Sequence, residues 1–500
     1  MSGLPRLLVG VSVAFAGSGC AQLFGIDDTT GSGGGDGGLP PNEVSAKIDH
    51  ISIAAQVATM PQDLTGQTAT YTTPTGAVIA TAGTGEFIAT IPDGTPPIAF
   101  TLPDVPTPFL RVFDLGARSL AIGYVHFEHP DPQPAPVGAT IAIHATLPSS
   151  YVSAEGFQVY SVGTWGVHTM TAAELPAPNT GATAIGVTLP YDSAAGHFSL
   201  GTSAPLAGIT TADQLLLLRY VGSNLTGYLP YTPFTGTGAD SVTGTMSVNT
   251  ANKTLTQTID PTAPGARFAA ARPAPSGLSM YWEVLAAPDS QHGNAGGTQL
   301  NLAAVPSTQA AGPINASYAN PFGSLGWGSV LAWLASESRQ FTDTASGQSI
   351  TLSTGLQQFV DASSTDPLDL PAGVPLTVSI DQMPLVTDGM AVALDLSATG
   401  TSVLSIDGPD RPNSDLYEWT VYELVPGATA LSASPRLDAY AVQPTITIPT
   451  SVFVAGHIYS IRAFCRVGGY PSLATGDIET TQFPTSLGYH DSGAFTVSAQ

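Results

Sequence analysis

The densest group of side chains able to do chemistry is His126, Glu128, His129 and Asp131. Residues two apart on a strand share a face, so His126 and Glu128 point the same way. A turn at Pro130 would then bring in His129 or Asp131, completing the imidazole and carboxylate set that zinc and copper favour. The competing reading is a strand end that runs into a proline linker with its polar groups in water. A second group, Asp407, Asp410, Asn413 and Asp415, makes an oxygen-rich loop ahead of Tyr417. Calcium takes about six to eight such hard oxygens. Gly408, Pro409 and Pro412 would equally shape this stretch into an ordinary turn.

Other catalytic arrangements are missing from the sequence. It has no G-x-S-x-G elbow to present a serine, no H-E-x-x-H pair, no phosphate-cradling G-x-x-x-x-G-K-[ST] loop and no C-x-x-C pair. The run His292, Gly293, Asn294, Ala295, Gly296, Gly297 is similar to an esterase oxyanion loop, but without an elbow it reads as a hairpin tip. Trp165, Tyr228, Tyr231, Trp282 and Trp327 could stack on sugars, the first, second and last of them lying beside glycines as loop platforms often do, and core packing is the simpler reading of each. No cofactor is expected.

Composition narrows the partners. The 500 residues carry 13 Lys and Arg against 37 Asp and Glu, a formal charge of −24, and only 10% of residues are charged. A chain this acidic has no basic stripe to neutralise phosphates, so nucleic acid and direct docking on anionic head groups are both disfavoured. With 43% hydrophobic residues, and with 54 glycines and 42 prolines staying below a disordered composition, the chain should fold.

The N-terminus reads as an export address. Arg6 precedes an apolar run from Leu7 to Ala16, too short to span a bilayer, and then come Gly17, Ser18, Gly19 and Cys20. This layout resembles the lipobox of bacterial lipoproteins, although Gly17 stands where that family has Leu. The resemblance implies that residues 1–19 are removed and that Cys20 is lipidated to become the first residue of the mature chain. Ala21 after the cysteine resembles lipoproteins passed on to the outer membrane. Residues 20–42 form the anchored linker. Gly31, Gly33, Gly34, Gly35, Gly37 and Gly38 within it make a loose tether that closes on Pro40 and Pro41. Gly33, Gly35 and Gly38 also satisfy G-x-G-x-x-G, but no strand precedes them, so they read as linker. A lipidated Cys20 leaves Cys465 without a disulfide partner.

The body beyond this tether reads as short strands. Period-two apolar runs recur at Ile51, Ile53, Ala55, Val57, at Phe87, Ala89, Ile91, at Ile98, Phe100, Leu102 and at Phe157, Val159, with turn residues between them. The fold class is therefore all-β, as tandem antiparallel β-sandwiches. Trp327, Val330, Leu331 and Leu334 instead fit the helical spacing i, i+3, i+4, i+7, with Gly323, Gly326 and Gly328 crowding the start. Leu215 to Leu218 fits either a buried strand or a helical turn.

Proline-rich breaks at 131–136 and 367–375 divide the body into 43–136, 137–373 and 374–500. The first part, through Gly85, Phe87, Pro92, Gly94 and Thr95, faintly resembles the transthyretin-like sandwiches of secreted bacterial proteins. The middle part fits one sandwich or two, with a seam near 261–275. In the last part Phe453, Ala455, Gly456, Tyr459, Ile461, Ala463 and Cys465 resemble the "L-x-P-G-x-x-Y-x-V-x-V" strand of fibronectin type III domains. Ala455 replaces the family's Pro, and Ile406 stands near its early Trp. Period two puts Tyr459, Ile461, Ala463 and Cys465 on one face, with Arg462 and Arg466 on the other, so Cys465 is expected to be an inert core thiol.

These readings lead to an exported protein held at the outer membrane or cell surface by lipid at Cys20. It is expected to act as a non-catalytic binding or structural module toward a protein or glycan. The alternative is an exported carbohydrate-active or other hydrolase with its site on loops of the middle region.

Overall fold

A computed structural model describes residues 40, 42–53, 57–92, 99–104, 109–126, 140–161, 167–190, 215–230, 239–259, 262–272, 274, 276–287, 300–305, 312–364, 368–386, 391–396, 400–411 and 414–498. Nearly all of them are strand or turn, so the molecule is all-β and built of packed sheets. The first part forms β1 (Glu43–Ile53), β2 (Val57–Pro61), β3 (Ala69–Thr73), β4 (Gly76–Ala82), β5 (Glu86–Thr90), β6 (Ala99–Asp104), β7 (Phe109–Asp114) and β8 (Ser119–His126). The middle part begins with β9 (Thr140–Thr146), β10 (Glu155–Ser161), β11 (Val167–Thr169), β12 (Ala184–Pro190), β13 (Leu215–Val221), β14 (Asn224–Pro230), β15 (Ala239–Thr245), β16 (Ser247–Val248) and β17 (Lys253–Ile259). A short helix, α1 (Thr262–Phe268), then leads to β18 (Ser276–Ala287), β19 (Asn301–Val305), β20 (Gly312–Tyr318), β21 (Gly328–Thr342) and β22 (Ser349–Asp361). The last part holds β23 (Thr377–Ile380), β24 (Met383–Pro384), β25 (Val392–Leu394), β26 (Thr401–Asp407), β27 (Leu416–Pro426), β28 (Leu431–Ala441), β29 (Thr445–Pro449), β30 (Ile458–Gly468), β31 (Thr485–Asp491) and β32 (Phe495–Val497).

Alternation explains the layers. In the last part, β24-β23-β26-β29 form one sheet, and β28, β27, β30 and β31 pair in that order in the other. Between them Leu404, Ile406, Trp419, Val421, Ile446, Ile448, Tyr459, Ile461, Ala463, Cys465 and Phe495 make a continuous core. In the middle part, β12-β9-β15 and β11-β10-β13-β14-β16 are separate sheets, and Ile141, Ile143, Phe157, Val159, Leu217 and Val242 pack together between them. Strand β10 is covered on both faces. Phe157 and Val159 enter that core while Tyr160 enters the next one, with Trp282, Trp327 and Trp333.

The hydrogen-bonded array crosses both proline breaks. From β19 it runs through β18, β21, β22, β31, β30, β27 and β28. Strand β28 then pairs parallel with β7, taking the array into β6, β3, β4, β5, β1 and β8 of the first part. Across the β28/β7 junction, Tyr440 stacks on Phe113 with 5.1 Å between centroids. The first core therefore includes Leu416, Tyr440, Leu473 and Ile478 from the far end of the sequence.

Two local expectations are corrected. Trp327 to Leu334 is not helical. A 3₁₀ turn over Pro321–Leu325 ends at Gly326, whose φ of 83° closes it, and β21 follows. Val330, Leu331, Ala332 and Trp333 are all buried there because the strand is covered on both faces, which removes the period-two signature. Ile51 and Val57 do not share one strand: Ile51 and Ile53 end β1, which pairs antiparallel with β2 so that Ile53 lies opposite Val57, and Ala55 lies outside the described residues. Leu215 to Leu218, left open between strand and helix, is strand β13, with Leu217 in one core and Leu216 and Leu218 in another.

Candidate functional site

The residues expected to bind metal are placed only in part. His126 is the last residue of β8, opposite Ser52, while Glu128, His129 and Asp131 lie outside the described residues, as do Cys20, the tether and the break at 131–136. Asp407, Asp410 and Asp415 are described and Asn413 is not. Each of the three carboxylates has its own partners. Asp407 accepts from the Ser379 hydroxyl. Asp410 accepts from the Arg267 guanidinium and, at 2.6 Å, from the Val374 amide. Asp415 accepts from the Gly468 amide at 2.7 Å. Each ties the loop to a different neighbour rather than contributing to a common cage. Among the described residues no three His, Cys, Asp or Glu side chains converge as a metal set.

The aromatic residues divide similarly. Trp282 and Trp327 are core residues and Tyr228 packs against the same core, so these rings are not open platforms. Trp165, Tyr231 and His292 to Gly297 lie outside the described residues, as do 191–214 and 306–311 of the middle region.

The sequence reading missed a polar cluster where the middle and last parts share the β22/β31/β30 sheet. Strand alternation directs Arg462 and Asp491 to the face opposite the Cys465 core, directly across the β30/β31 ladder. Arg462 donates to the Asp491 carboxylate through Nε at 2.6 Å and Nη2 at 2.9 Å. Its guanidinium lies 5.8 Å from the Tyr422 ring centroid and 5.3 Å from that of Tyr489. Burial works against the Arg462 charge, and the Asp491 carboxylate more than offsets this, so the guanidinium is held above its ordinary value. Burial likewise opposes ionisation of Asp491, but Arg462 and the Ser353 amide, at 2.7 Å, hold its carboxyl below the usual range. From β21, Arg339 donates to the backbone carbonyls of Asp491 and Ser492.

Beside this pair His490 is fully buried. Its Nε2 lies 2.9 Å from the Arg272 carbonyl, which can only accept, so Nε2 carries the proton and Nδ1 accepts from the Thr354 hydroxyl at 2.7 Å. Desolvation, with Arg339 nearby, pushes His490 down to about 4. The ring is therefore neutral near pH 7 with both nitrogens engaged, and the cluster acts as a clamp between strands rather than as an acid or base. The consecutive residues Tyr489, His490, Asp491 and Ser492 were the available sequence signal.

Cys465 is a buried free thiol, pushed up to about 12 by desolvation. Tyr459 is also buried, and its hydroxyl accepts from the Val454 amide at 2.7 Å. β-Sandwiches use such a corner tyrosine to fix the turn into a core strand. Among the described residues no helix is long and apolar enough to cross a membrane.

No protein-family model matches the chain, and no curated protein matches it either. Among solved structures it is similar to the major pilin SpaA of Corynebacterium diphtheriae, at 11% identity and a TM-score of 0.11, over 65% of this chain and 85% of that one. A second is trypsin-activated alpha-2-macroglobulin from Escherichia coli, at 9% identity and a TM-score of 0.13, over 89% of this chain and 29% of that one. Likenesses at this level bear on neither fold nor function.

Proposed function

We propose that this is an exported lipoprotein, anchored through Cys20 at the outer membrane or cell surface, whose β-sandwich body acts as a non-catalytic binding or structural module. The observation that carries the reading is the N-terminal order: Arg6, a short apolar run, Gly17-Ser18-Gly19-Cys20, then a glycine tether. The body is compatible with a structural role, because β22 of the middle part pairs with β31 of the last and β28 of the last pairs with β7 of the first. The fibronectin type III-like reading of the last part is supported by its two packed sheets, β23-β26-β29 and β28-β27-β30-β31, and by the Tyr459 corner. Its ligand would be a protein or glycan, and its membrane contact would come through the lipid.

The test is fractionation of cells making the wild-type chain and Cys20→Ser. Wild type is expected in the membrane fraction and Cys20→Ser in the soluble fraction. Identical partitioning would refute the anchor.

A further inference from the structure

Residues 473–479, between β30 and β31, dock beside β8 of the first part. Leu473 and Ile478 are buried in the first core. The backbone is joined by a parallel bridge between Ala121 and Asp477, with Ile478 N–H donating to the Ala121 carbonyl at 3.0 Å and Ala121 N–H to the Gly476 carbonyl at 3.1 Å. Gly476, at φ 81°, lies so close to Ser119 that a Cβ would sit 2.2 Å from its carbonyl oxygen, so only glycine lets the segment approach. The Asp477 carboxylate then accepts from the Glu479 and Thr480 amides at 2.8 and 2.9 Å and fixes the turn that follows.

This docking brings together two carboxyls 430 positions apart. On β1, Lys47 lies beside Ala121 and Asp49 beside Gly123 of β8. Past the bridge at Asp477 the chain turns at Glu479, whose side chain comes back toward β1. The Glu479 side chain is hydrogen-bonded to that of Asp49, and Glu479 is itself largely covered, with its side chain 14% exposed. Asp49 is 1% exposed. Lys47 Nζ contacts the Asp49 carboxylate and lies 3.8 Å from Glu479 Oε2.

We infer that this carboxyl pair is a pH-sensitive latch: a proton on Glu479, in its hydrogen bond with Asp49, holds residues 473–479 on β8, and its loss releases them. The groups facing Glu479 are Lys47 and Asp49 of β1 and Asp477 of its own segment. Among its described side chains, β8 sets Ser119, Ala121 and Gly123 on this face. Beyond β1, β5 sets Glu86 opposite Lys47, and β2 sets Pro61 opposite Asp49. Arg118, just ahead of β8, is directed to the Glu43 carbonyl. Among the described residues, Lys47 is the cation in contact with both carboxyls. Burial, and then the Asp49 charge, push Glu479 up to about 7. A raised carboxyl stabilises the docked state fully below the ordinary value of 4.5 and loses that contribution as pH rises through about 7.

The test is hydrogen exchange on the full chain from pH 5 to 8, with each rate divided by the intrinsic rate at that pH. Protection of 473–480 is expected to fall by about tenfold or more across this range while β27 and β30 stay unchanged. In Glu479→Gln, which keeps the hydrogen bond without the charge, protection at pH 8 should match that at pH 5. Asp49→Asn should flatten the profile in the same way. A wild-type profile without pH dependence, or one that persists in both variants, would overturn the latch.

Discussion

Val454 and Tyr459 close one corner of the last sandwich: the Val454 amide donates to the Tyr459 hydroxyl at 2.7 Å, across a turn in which Gly456 holds φ at 81°. The ring enters the core between Phe453 at 5.2 Å and Phe495 at 5.7 Å, so one side chain both fixes the turn and anchors β30. Removing the hydroxyl and removing the ring should therefore cost different amounts. Tyr459→Phe is expected to lose about 0.5–1.5 kcal/mol and Tyr459→Ala about 3–5 kcal/mol in urea unfolding. Equal losses for the two variants would contradict this division of roles.

His490 sets the acid limit of the clamp. The folded chain holds it neutral down to about 4, against an ordinary value of 6.5. The unfolded chain therefore binds a proton that the folded chain does not, and stability should fall as pH drops from about 6.5 toward 4. Denaturant titrations at closely spaced pH values should show this slope in wild type and a smaller one in His490→Gln, whose amide can still reach Thr354 or Arg272.

Cys465 should be inert in the native protein. In the Cys20→Ser chain it is the remaining thiol of the two cysteines, and with its thiol pushed up to about 12 it should take no label from a thiol reagent at pH 8 until denaturant is added. Because that value is raised, the thiol's contribution to stability is present below the ordinary 9.0 and lost as pH rises toward 12. Rapid native labelling would place Cys465 outside the core.

Strands with one open face were legible residue by residue. Phe87 and Ala89 alternate with exposed neighbours, and Tyr459, Ile461, Ala463 and Cys465 share a buried face with Arg462 and Arg466 opposite, as their spacing implies. Strands covered on both sides were not. In β21 two cores draw apolar residues to both faces, and the remaining pattern imitates a helix. Least legible was what distant strands bring together. Nothing near Asp49 announces Glu479, and nothing near Phe113 announces Tyr440, because both contacts depend on sheet pairings between opposite ends of the chain. The aspartates at 407, 410 and 415 looked like one site because they are close in sequence. Their partners Ser379, Arg267 and Gly468 come from three separate places, and these decide where each carboxylate goes.

The lipid anchor at Cys20 is checked by the intact mass of the protein purified from membranes. The expected chain begins at Cys20, with residues 1–19 gone and the mass of a diacylglyceryl group and an acyl chain added. A mass equal to the unmodified polypeptide, or to a chain cleaved elsewhere without lipid, would contradict it.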